Sequence, residues 1–260
     1  MKLIKLTLRY ARMSTVDLAQ FPFEVVMKLV DLGFTVISLY AFWYSVMEFG
    51  IVVPGWSQPE IIVMTGVGLI GSALTQLGFG FRDISYRIID GTLDTYLIRP
   101  VHPLFTILAE RLSVFWVGTQ SVAGTALILM GAKAGGLSTT DLLPAATTLV
   151  LGCMTYEAIF GCISLSSLWF GRVSSIRDVL FSLTSSKKYP TDVLPRTMGR
   201  VLTWILPLGL VATLPTKILL GKVAQPWTVV GWASLLAAFW ALILLIVWNK
   251  GLTGYQSTGS

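Results

Sequence analysis

Glu157 is the side chain whose position most strongly suggests a chemical role. It lies near the middle of the apolar run TTLVLGCMTYEAIFGCISLSSLWF, residues 147–170. An ionisable group at mid-bilayer costs at least about 2.5 kcal/mol on insertion scales, so it usually faces the interior of a helix bundle or water. We therefore expect Glu157 to line a transport route or to pair with a cation such as Arg177 across helices. The alternative is a structural glutamate that is protonated or partnered.

The other reactive residue types do not form a catalytic or metal-binding set. His102 is the only histidine of the chain, and a metal site needs several ligands. An enzyme acting inside the membrane would need a paired carboxylate or a Ser/His set at the membrane surface. A G-x-x-x-x-G-K-[ST] phosphate loop does not occur, and LLGKVAQ, the nearest stretch, lacks the earlier glycine and the hydroxyl. We therefore predict no catalytic residue, no metal site and no cofactor bound by this chain.

A second polar feature is the stretch RIIDGTLDTYLIRPVHP, residues 87–103, which interrupts long apolar sequence. The Asp-Gly pair at 90–91 is a turn signal. Thr92 can cap a short helix, and Asp94 falls in its first turn, where the helix dipole favours an anion. Pro100 ends that helix, because the residue before a proline disfavours helical backbone. The expected structure is a short, rigid helix outside the hydrocarbon, with an apolar side formed by Leu93, Leu97 and Ile98.

The composition of the chain shows which elements must position these residues. Of its 260 residues, 54% are hydrophobic and 12% are charged, whereas a soluble domain has about a quarter charged residues. Its mean hydropathy is +0.75. These values predict an all-α integral membrane protein with a single transmembrane domain, residues 23–260. The net charge of +6 is spread between apolar runs, where basic residues set topology and contact anionic lipid, so we expect membrane lipid and no nucleic acid as partner.

Residues 1–22 are periodic rather than continuously apolar. Four basic residues fall at helical spacing on one face, and apolar residues cover the rest of the helix surface. This pattern is typical of an amphipathic helix that lies in the membrane interface. The basic residues are Lys2, Lys5, Arg9 and Arg12.

The distribution of basic residues predicts the orientation of the apolar segments, because cytoplasmic loops carry an excess of Lys and Arg. The N-terminal segment has four basic residues, the first loop has none, and the loop after the third span has only Lys133. The segment between the second and third spans again has four basic residues, Arg82, Arg87, Arg99 and Arg111. We therefore predict that the N-terminus and the segment 82–103 face the cytoplasm. Clear spans are expected at about 23–49, 61–81, 111–131, 143–170 and 227–248.

Four stretches together resemble a known family. DGTLDTYLIRPVHPL resembles the G-x-L-D-x-x-L-x-R-P-x-x-P-L signature of permeases of ATP-binding-cassette exporters in the type-2 superfamily. FGIVVPGWSQPEIIVMTG is similar to the family's Gly-Trp start of the second span. KKYPTDVLPRTMGRVLTWILPLGLVATLPTKILLG resembles its proline-rich block, and WNKGLTGYQSTGS resembles its C-terminal ending. Because the four occur in order, the resemblance covers nearly the whole chain.

The resemblance implies an exporter subunit that forms the translocation pathway but does not hydrolyse ATP. It implies a dimer of permeases, identical or related, in the prokaryotic plasma (inner) membrane with both termini cytoplasmic. Two separate cytoplasmic ATPase subunits would bind ATP and Mg. The segment 82–103 would then contain the coupling helix, seated in a groove of the ATPase. The signature positions implied to couple to the ATPase are Gly91, Leu93, Asp94, Leu97, Arg99 and Pro100.

The region before the last span admits two interpretations. Counting positive charges places its basic residues in the cytoplasm, with 198–219 as the fifth span. The resemblance instead implies six spans, with a polar fifth span at about 173–189 and an external re-entrant hairpin at 195–219. Pro207 and Pro215 favour two half-helices over one straight span, and we therefore predict the hairpin.

Two further alternatives stay open. Asp94 and Arg99 could simply form the solvated face of a loop. A secondary transporter or channel working alone would need several mid-membrane charges or an inverted repeat, whereas the sequence offers one clear mid-span charge and no convincing repeat.

Overall fold

The computed structural model describes residues 2–50, 53–78, 80–171, 173, 175–176, 178–179, 182 and 190–255. Helices dominate these ranges, and no strand occurs within them. Five of the described helical segments are long and apolar enough to cross a membrane: Pro22–Glu48, Gln58–Ile89, Val114–Lys133, Leu142–Phe170 and Pro226–Thr253. The predicted all-α membrane architecture is confirmed. The predicted polar span at 173–189 lies mostly outside the described residues, and so does Arg177.

The α-helices with defined bounds fall into three groups along the chain. The N-terminal group is α1 (Lys2–Gln20), α2 (Pro22–Glu48), α3 (Gln58–Thr75) and α4 (Gly80–Ile89). The central group is α5 (Asp94–Leu97), α6 (Pro103–Glu110), α7 (Val114–Gly135), α8 (Leu142–Leu165) and α9 (Ser167–Phe170). The C-terminal group is α10 (Arg196–Arg200), α11 (Leu208–Val211), α12 (Thr213–Leu219) and α13 (Pro226–Thr253).

The second span is not one regular helix. A 3₁₀ segment, Gln76–Gly78, follows α3, and α4 then continues to Ile89. The sequence predicts the end of this span near 81, whereas the helix runs eight residues further, from 81 to 89. The helix extends because Ile84 and Ile88 are buried against the bundle, although α4 also carries charged residues, of which Arg82 is itself buried. The irregular polar connection is therefore shorter than the predicted segment 82–103.

Helix α8 is the central element of the bundle, since it packs against α3, α4, α13 and the short helices α11 and α12. Among the described helices, α3 and α7 share the most extensive contact, and they meet at glycines. A Cβ atom at Gly124 would lie 2.6 Å from the carbonyl oxygen of Gly66, so only glycine permits this approach. Small residues at contact points are how helices pack in membranes, where lipid offers no hydrophobic drive for association.

The segment from 195 to 219 does not form one straight span. It consists of α10, a π-helical turn at Val201–Ile205, α11 and α12. Residues just before this segment and at its end bond to the loops that follow the first and third spans. Trp56 Nε1 donates to Asp192 Oδ2 at 2.9 Å, and Ser138 N donates to Leu219 O at 2.9 Å. Both loops lie at the end of the bundle opposite the 90–102 connection. The segment 195–219 therefore sits at that opposite end too.

Candidate functional site

Glu157 on α8 and Arg82 on α4 form a buried ion pair. Their exposed fractions are 5% and 6%, and Arg82 Nη2 donates to Glu157 Oε1. The hydroxyl of Ser164 also donates to the backbone oxygen of Arg82 at 3.3 Å. Arg82, counted as a cytoplasmic topology charge, lies inside the bundle, which corrects that sequence-based expectation. Arg82 is a cation that pairs with Glu157 across helices, whereas Arg177 lies outside the described residues and its pairing stays a prediction.

Aromatic rings complete the environment of this pair. The Arg82 guanidinium carbon lies 5.2 Å from the ring centre of Tyr156 and 5.3 Å from that of Phe160. Cation–π contacts are strongest when the cation is desolvated, and together with the carboxylate they offset the cost of burying the charge. The absence of a side chain at Gly78 leaves room for Glu157, because a Cβ atom at position 78 would overlap the Glu157 side chain.

Glu157 also faces a cavity of about 330 Å³ between the second, fourth and last described spans. Apart from the carboxyl group, its walls are mainly aliphatic. A cavity of this size with one convergent polar group is typical of a site for a small amphipathic molecule or an acyl chain. Its lining includes Leu74, Gly78, Val150, Glu157, Ala237 and Leu244.

The connection between α4 and α6 is a tight turn followed by the four-residue helix α5. Gly91 has a φ of 69°, a conformation that side-chain-bearing residues rarely adopt. Leu93, not Thr92, occupies the N-cap position, and the Thr92 hydroxyl instead donates to Arg87 O at 3.4 Å. The predicted Thr92 cap is therefore wrong. The N-cap falls at Leu93 because the turn that precedes α5 ends one residue later than the sequence pattern suggests.

The two ends of the predicted apolar side of α5 face opposite directions. Leu93 is fully buried, whereas Ile98 is 85% exposed. Arg99 and Pro100 are exposed beside Ile98. Leu93 holds α5 onto the bundle, and we define the exposed residues Ile98, Arg99 and Pro100 as the tip.

The tip is anchored through Tyr96. Arg87 Nη1 donates to the Tyr96 hydroxyl, which in turn donates to Glu110 Oε2. Arg87 Nη2 also lies 3.2 Å from Glu110 Oε2. The guanidinium carbons of Arg87 and Arg99 each lie 4.5 Å from the Tyr96 ring centre. One tyrosine thus ties α5 to both α4 and α6.

A second ion pair joins the same helices. Arg111 Nε, directly after α6, lies 2.7 Å from Asp83 Oδ2 on α4. We call α4, α5 and α6 with these two polar ties the coupling block. Because Arg82 belongs to α4, the coupling block is also bonded to α8 through Glu157.

The C-terminal end of α13 packs on the coupling block as well. Tyr255 joins the apolar cluster of Leu93 and Tyr96, and the rings of His102 and Trp248 lie 6.2 Å apart. Burial raises the pKa of the Tyr255 phenol, and the neighbouring Asp94 carboxyl raises it further.

The six signature positions divide into two sets in the structure. Gly91, Leu93 and Leu97 shape and seat the helix, while Arg99 and Pro100 are exposed and Asp94 is half-buried. The sequence pattern missed the polar partners Asp83, Arg87, Tyr96 and Glu110, since each depends on how α4 and α6 face one another. The intermediate hydropathy of residues 80–89 is the sequence feature that could have indicated a partly buried helix there.

Five described helical segments that are long and apolar enough to cross a membrane define the class as a multi-pass membrane protein. The sequence profile of the family described as ABC-2 family transporter protein matches residues 25–259. The chain therefore belongs to the ABC-2 transporter family and is a permease subunit of an ABC transporter. No curated protein and no solved structure matches the chain.

Proposed function

We propose that this chain is the transmembrane subunit of an ATP-driven exporter. Two copies, or one copy and a related permease, would form the translocation pathway, and two cytoplasmic ATPase subunits would drive it. The observation that carries the proposal is the tip. Ile98 is an exposed aliphatic side chain next to the helix α5, which is tied to α4 and α6 by Arg87, Tyr96 and Glu110.

The chemistry of the tip fits a protein partner. An exposed aliphatic side chain flanked by an arginine is an arrangement typical of interface anchors, where the apolar group fills a pocket and the charge lies at the rim. The rigid support lowers the entropy that binding would otherwise cost. A loop that merely connected two spans would not need such support.

The geometry also supports a route for mechanical coupling. ATP and Mg would be held by the ATPase partner, and closure of the ATPase pair would displace the tip. The coupling block would follow as one unit because its helices are joined by the Arg87–Glu110 and Asp83–Arg111 pairs. The Arg82–Glu157 pair would carry the motion to α8, beside the cavity that we propose as part of the translocation pathway.

Co-purification tests the function. We expect the tagged permease, isolated from its native membrane, to bring an ATPase subunit with it, and we expect vanadate to block transport by the complex. Cargo movement in vesicles that contain the permease without nucleotide would support a stand-alone secondary transporter or channel instead.

We propose that the protein lies in a prokaryotic inner membrane with both termini in the cytoplasm. Side-specific labelling tests this orientation. Thr92 and Thr140 are both exposed and lie at opposite ends of the bundle. A cysteine at Thr92 should react with a membrane-impermeant thiol reagent only from the cytoplasm, and a cysteine at Thr140 only from outside. The reverse pattern would contradict the proposed orientation.

A further inference from the structure

A pocket of about 430 Å³ with a partly polar lining lies at the end of the bundle opposite the tip, within the 195–219 segment and the turn before it. The walls are formed by the 3₁₀ turn at Thr191–Val193, by α10 with the π turn, and by α12. Its polar lining residues are Thr191, Asp192, Arg200, Thr203, Thr213 and Lys217.

The charges in this pocket do not cancel. Asp192 Oδ1 lies 2.7 Å from Lys217 Nζ, and Asp192 Oδ2 accepts a hydrogen bond from Trp56 Nε1 at 2.9 Å. The single carboxylate is thereby occupied on both oxygens and neutralises the lysine. Arg200 has no ion pair with any residue that the structure describes, and it is an exposed residue that lines the pocket. One positive charge therefore remains, carried by a guanidinium.

The hydroxyl groups of the pocket also favour a ligand that accepts hydrogen bonds. Thr213 is 2% exposed, and its Oγ1 accepts from Thr191 N at 3.2 Å, which leaves its own proton for another acceptor. Thr203 is different, because its hydroxyl already donates to Gly199 O at 2.7 Å. The pocket therefore offers the guanidinium donors of Arg200 and the buried hydroxyl of Thr213, while both carboxylate oxygens of Asp192 already have partners. This arrangement suits an oxyanion better than a cation.

Other cations surround the pocket, and two of them are already paired. Between 190 and 222 the chain carries Arg196, Arg200, Lys217 and Lys222 but only one acidic residue, Asp192. Lys217 pairs with Asp192, and Lys222 Nζ lies 2.6 Å from Glu60 Oε1. Basic residues are depleted on the outer side of membranes. A concentration of them at the end opposite the cytoplasmic tip therefore calls for a reason other than topology.

We infer that this pocket binds a phosphate-type oxyanion through Arg200 and the Thr213 hydroxyl. Arginine is suited to this role because its planar fork of donors matches phosphate oxygens. The oxyanion could be free phosphate or the phosphate of a lipid headgroup. The inference extends the proposed function, since a pocket opposite the ATPase side would receive an anionic group of the cargo as it leaves. Binding itself can be measured without an ATPase partner.

Titration of the full-length protein in maltoside detergent tests the inference. The probes are inorganic phosphate, glycerol 3-phosphate and dihexanoyl phosphatidylglycerol, and the readout is isothermal calorimetry. We expect saturable binding of at least one probe, weakened about tenfold or more by Arg200→Gln, as for loss of a charge-assisted hydrogen bond. Arg200→Lys keeps the positive charge but loses the planar pair of guanidinium donors, and it should weaken binding less than Arg200→Gln does.

Lys133→Gln is the matched control. Lys133 is exposed at the same end of the bundle but does not line the pocket, so its loss should leave binding within twofold. Binding of phosphate by itself would assign the site to the free anion, and binding of the short-chain lipid alone would assign it to a headgroup. Absence of binding, or equal affinity of the wild type, Arg200→Gln and Arg200→Lys, would overturn the inference and leave the exporter proposal intact.

Discussion

The carboxylate of Glu157 accepts a hydrogen bond from the guanidinium of Arg82 across 75 positions of sequence, inside the helix bundle. The pair fastens α4, which leads into α5 and the tip, to α8, which lines the apolar cavity. Its two members therefore connect the part of the chain that faces the ATPase partner in our proposal with the part that faces the proposed pathway.

Loss of one member of this pair should be costly. Glu157→Gln leaves a buried guanidinium uncompensated, and breaking such a pair costs roughly 3–5 kcal/mol of stability. We expect the thermal unfolding temperature of the purified protein to fall strongly. Arg82→Gln should have a comparable effect.

The double variant, Arg82→Gln with Glu157→Gln, should recover much of this loss, because both charges are gone. If the effects of the two single changes simply add in the double variant, the residues do not act as a pair. ATP-driven transport should remain low in the double variant if the pair also transmits motion.

Gly78 should tolerate no side chain. Gly78→Ala places a methyl group against Glu157, and overpacking of this kind costs about 1–3 kcal/mol. Gly33→Ala on α2 is the control, since a Cβ there meets nothing within 4 Å and alanine is the better helix former. The unfolding temperature should decrease for Gly78→Ala and should stay the same or increase for Gly33→Ala. Equal unfolding temperatures for the two variants would contradict the close contact between Gly78 and Glu157.

Tyr96→Phe should loosen the coupling block. The change removes the hydroxyl shared by Arg87 and Glu110 but keeps the ring beneath Arg87 and Arg99. Leaving such partners unsatisfied costs about 1–3 kcal/mol. We expect lower unfolding temperature and less cargo moved per ATP hydrolysed. Tyr40→Phe, at an exposed tyrosine of α2, should change neither quantity.

Ile98→Asp should separate the permease from its ATPase partner. A carboxylate would replace the aliphatic side chain that is 85% exposed in the isolated chain, and burying it at an interface would be unfavourable. Co-purified ATPase should decrease about tenfold or more, while the permease itself remains folded. Phe49→Asp is the control, because it changes a side chain that is 83% exposed at the opposite end of the bundle. This variant should co-purify as much ATPase as the wild type.

Alkaline pH should weaken the contact of Tyr255 with the coupling block. Burial and then Asp94 raise the pKa of this phenol above its ordinary value of 10.0, so the folded state favours the neutral form. The corresponding stability is fully present below pH 10.0 and is lost as the pH rises through the folded-state pKa. The unfolding temperature of Tyr255→Phe should therefore fall less steeply than that of the wild type at alkaline pH. Parallel curves would exclude the effect.

Much of the membrane architecture could be predicted because lipid imposes a strong pattern. Long apolar runs predict the first, third, fourth and last described spans, and Pro207 and Pro215 indicate why 195–219 is broken. The pattern failed at α4. Its charged residues predict a loop, yet Arg82 is buried, because Glu157 and the rings of Tyr156 and Phe160 compensate its charge.

The candidate site was only partly predictable for the same physical reason. Local signals such as Asp-Gly and Pro100 indicate a turn and a helix end. They do not tell which face of a four-residue helix is buried, and so Leu93 and Ile98 were grouped although they face opposite ways. Pairings such as Tyr96 with Glu110 arise from helix packing, which no local sequence window contains.

The first span has a consequence for the lipid environment. Within α2 only Leu32 and Trp43 are buried, so neighbouring helices restrain it weakly. Its 27 residues measure about 40 Å at a rise of about 1.5 Å per residue, longer than the roughly 30 Å hydrocarbon layer. Hydrophobic mismatch is relieved by tilting. The inclination of this helix should therefore respond to bilayer thickness more than that of the well-packed spans, and the helix should lean further in membranes made of shorter-chain lipids.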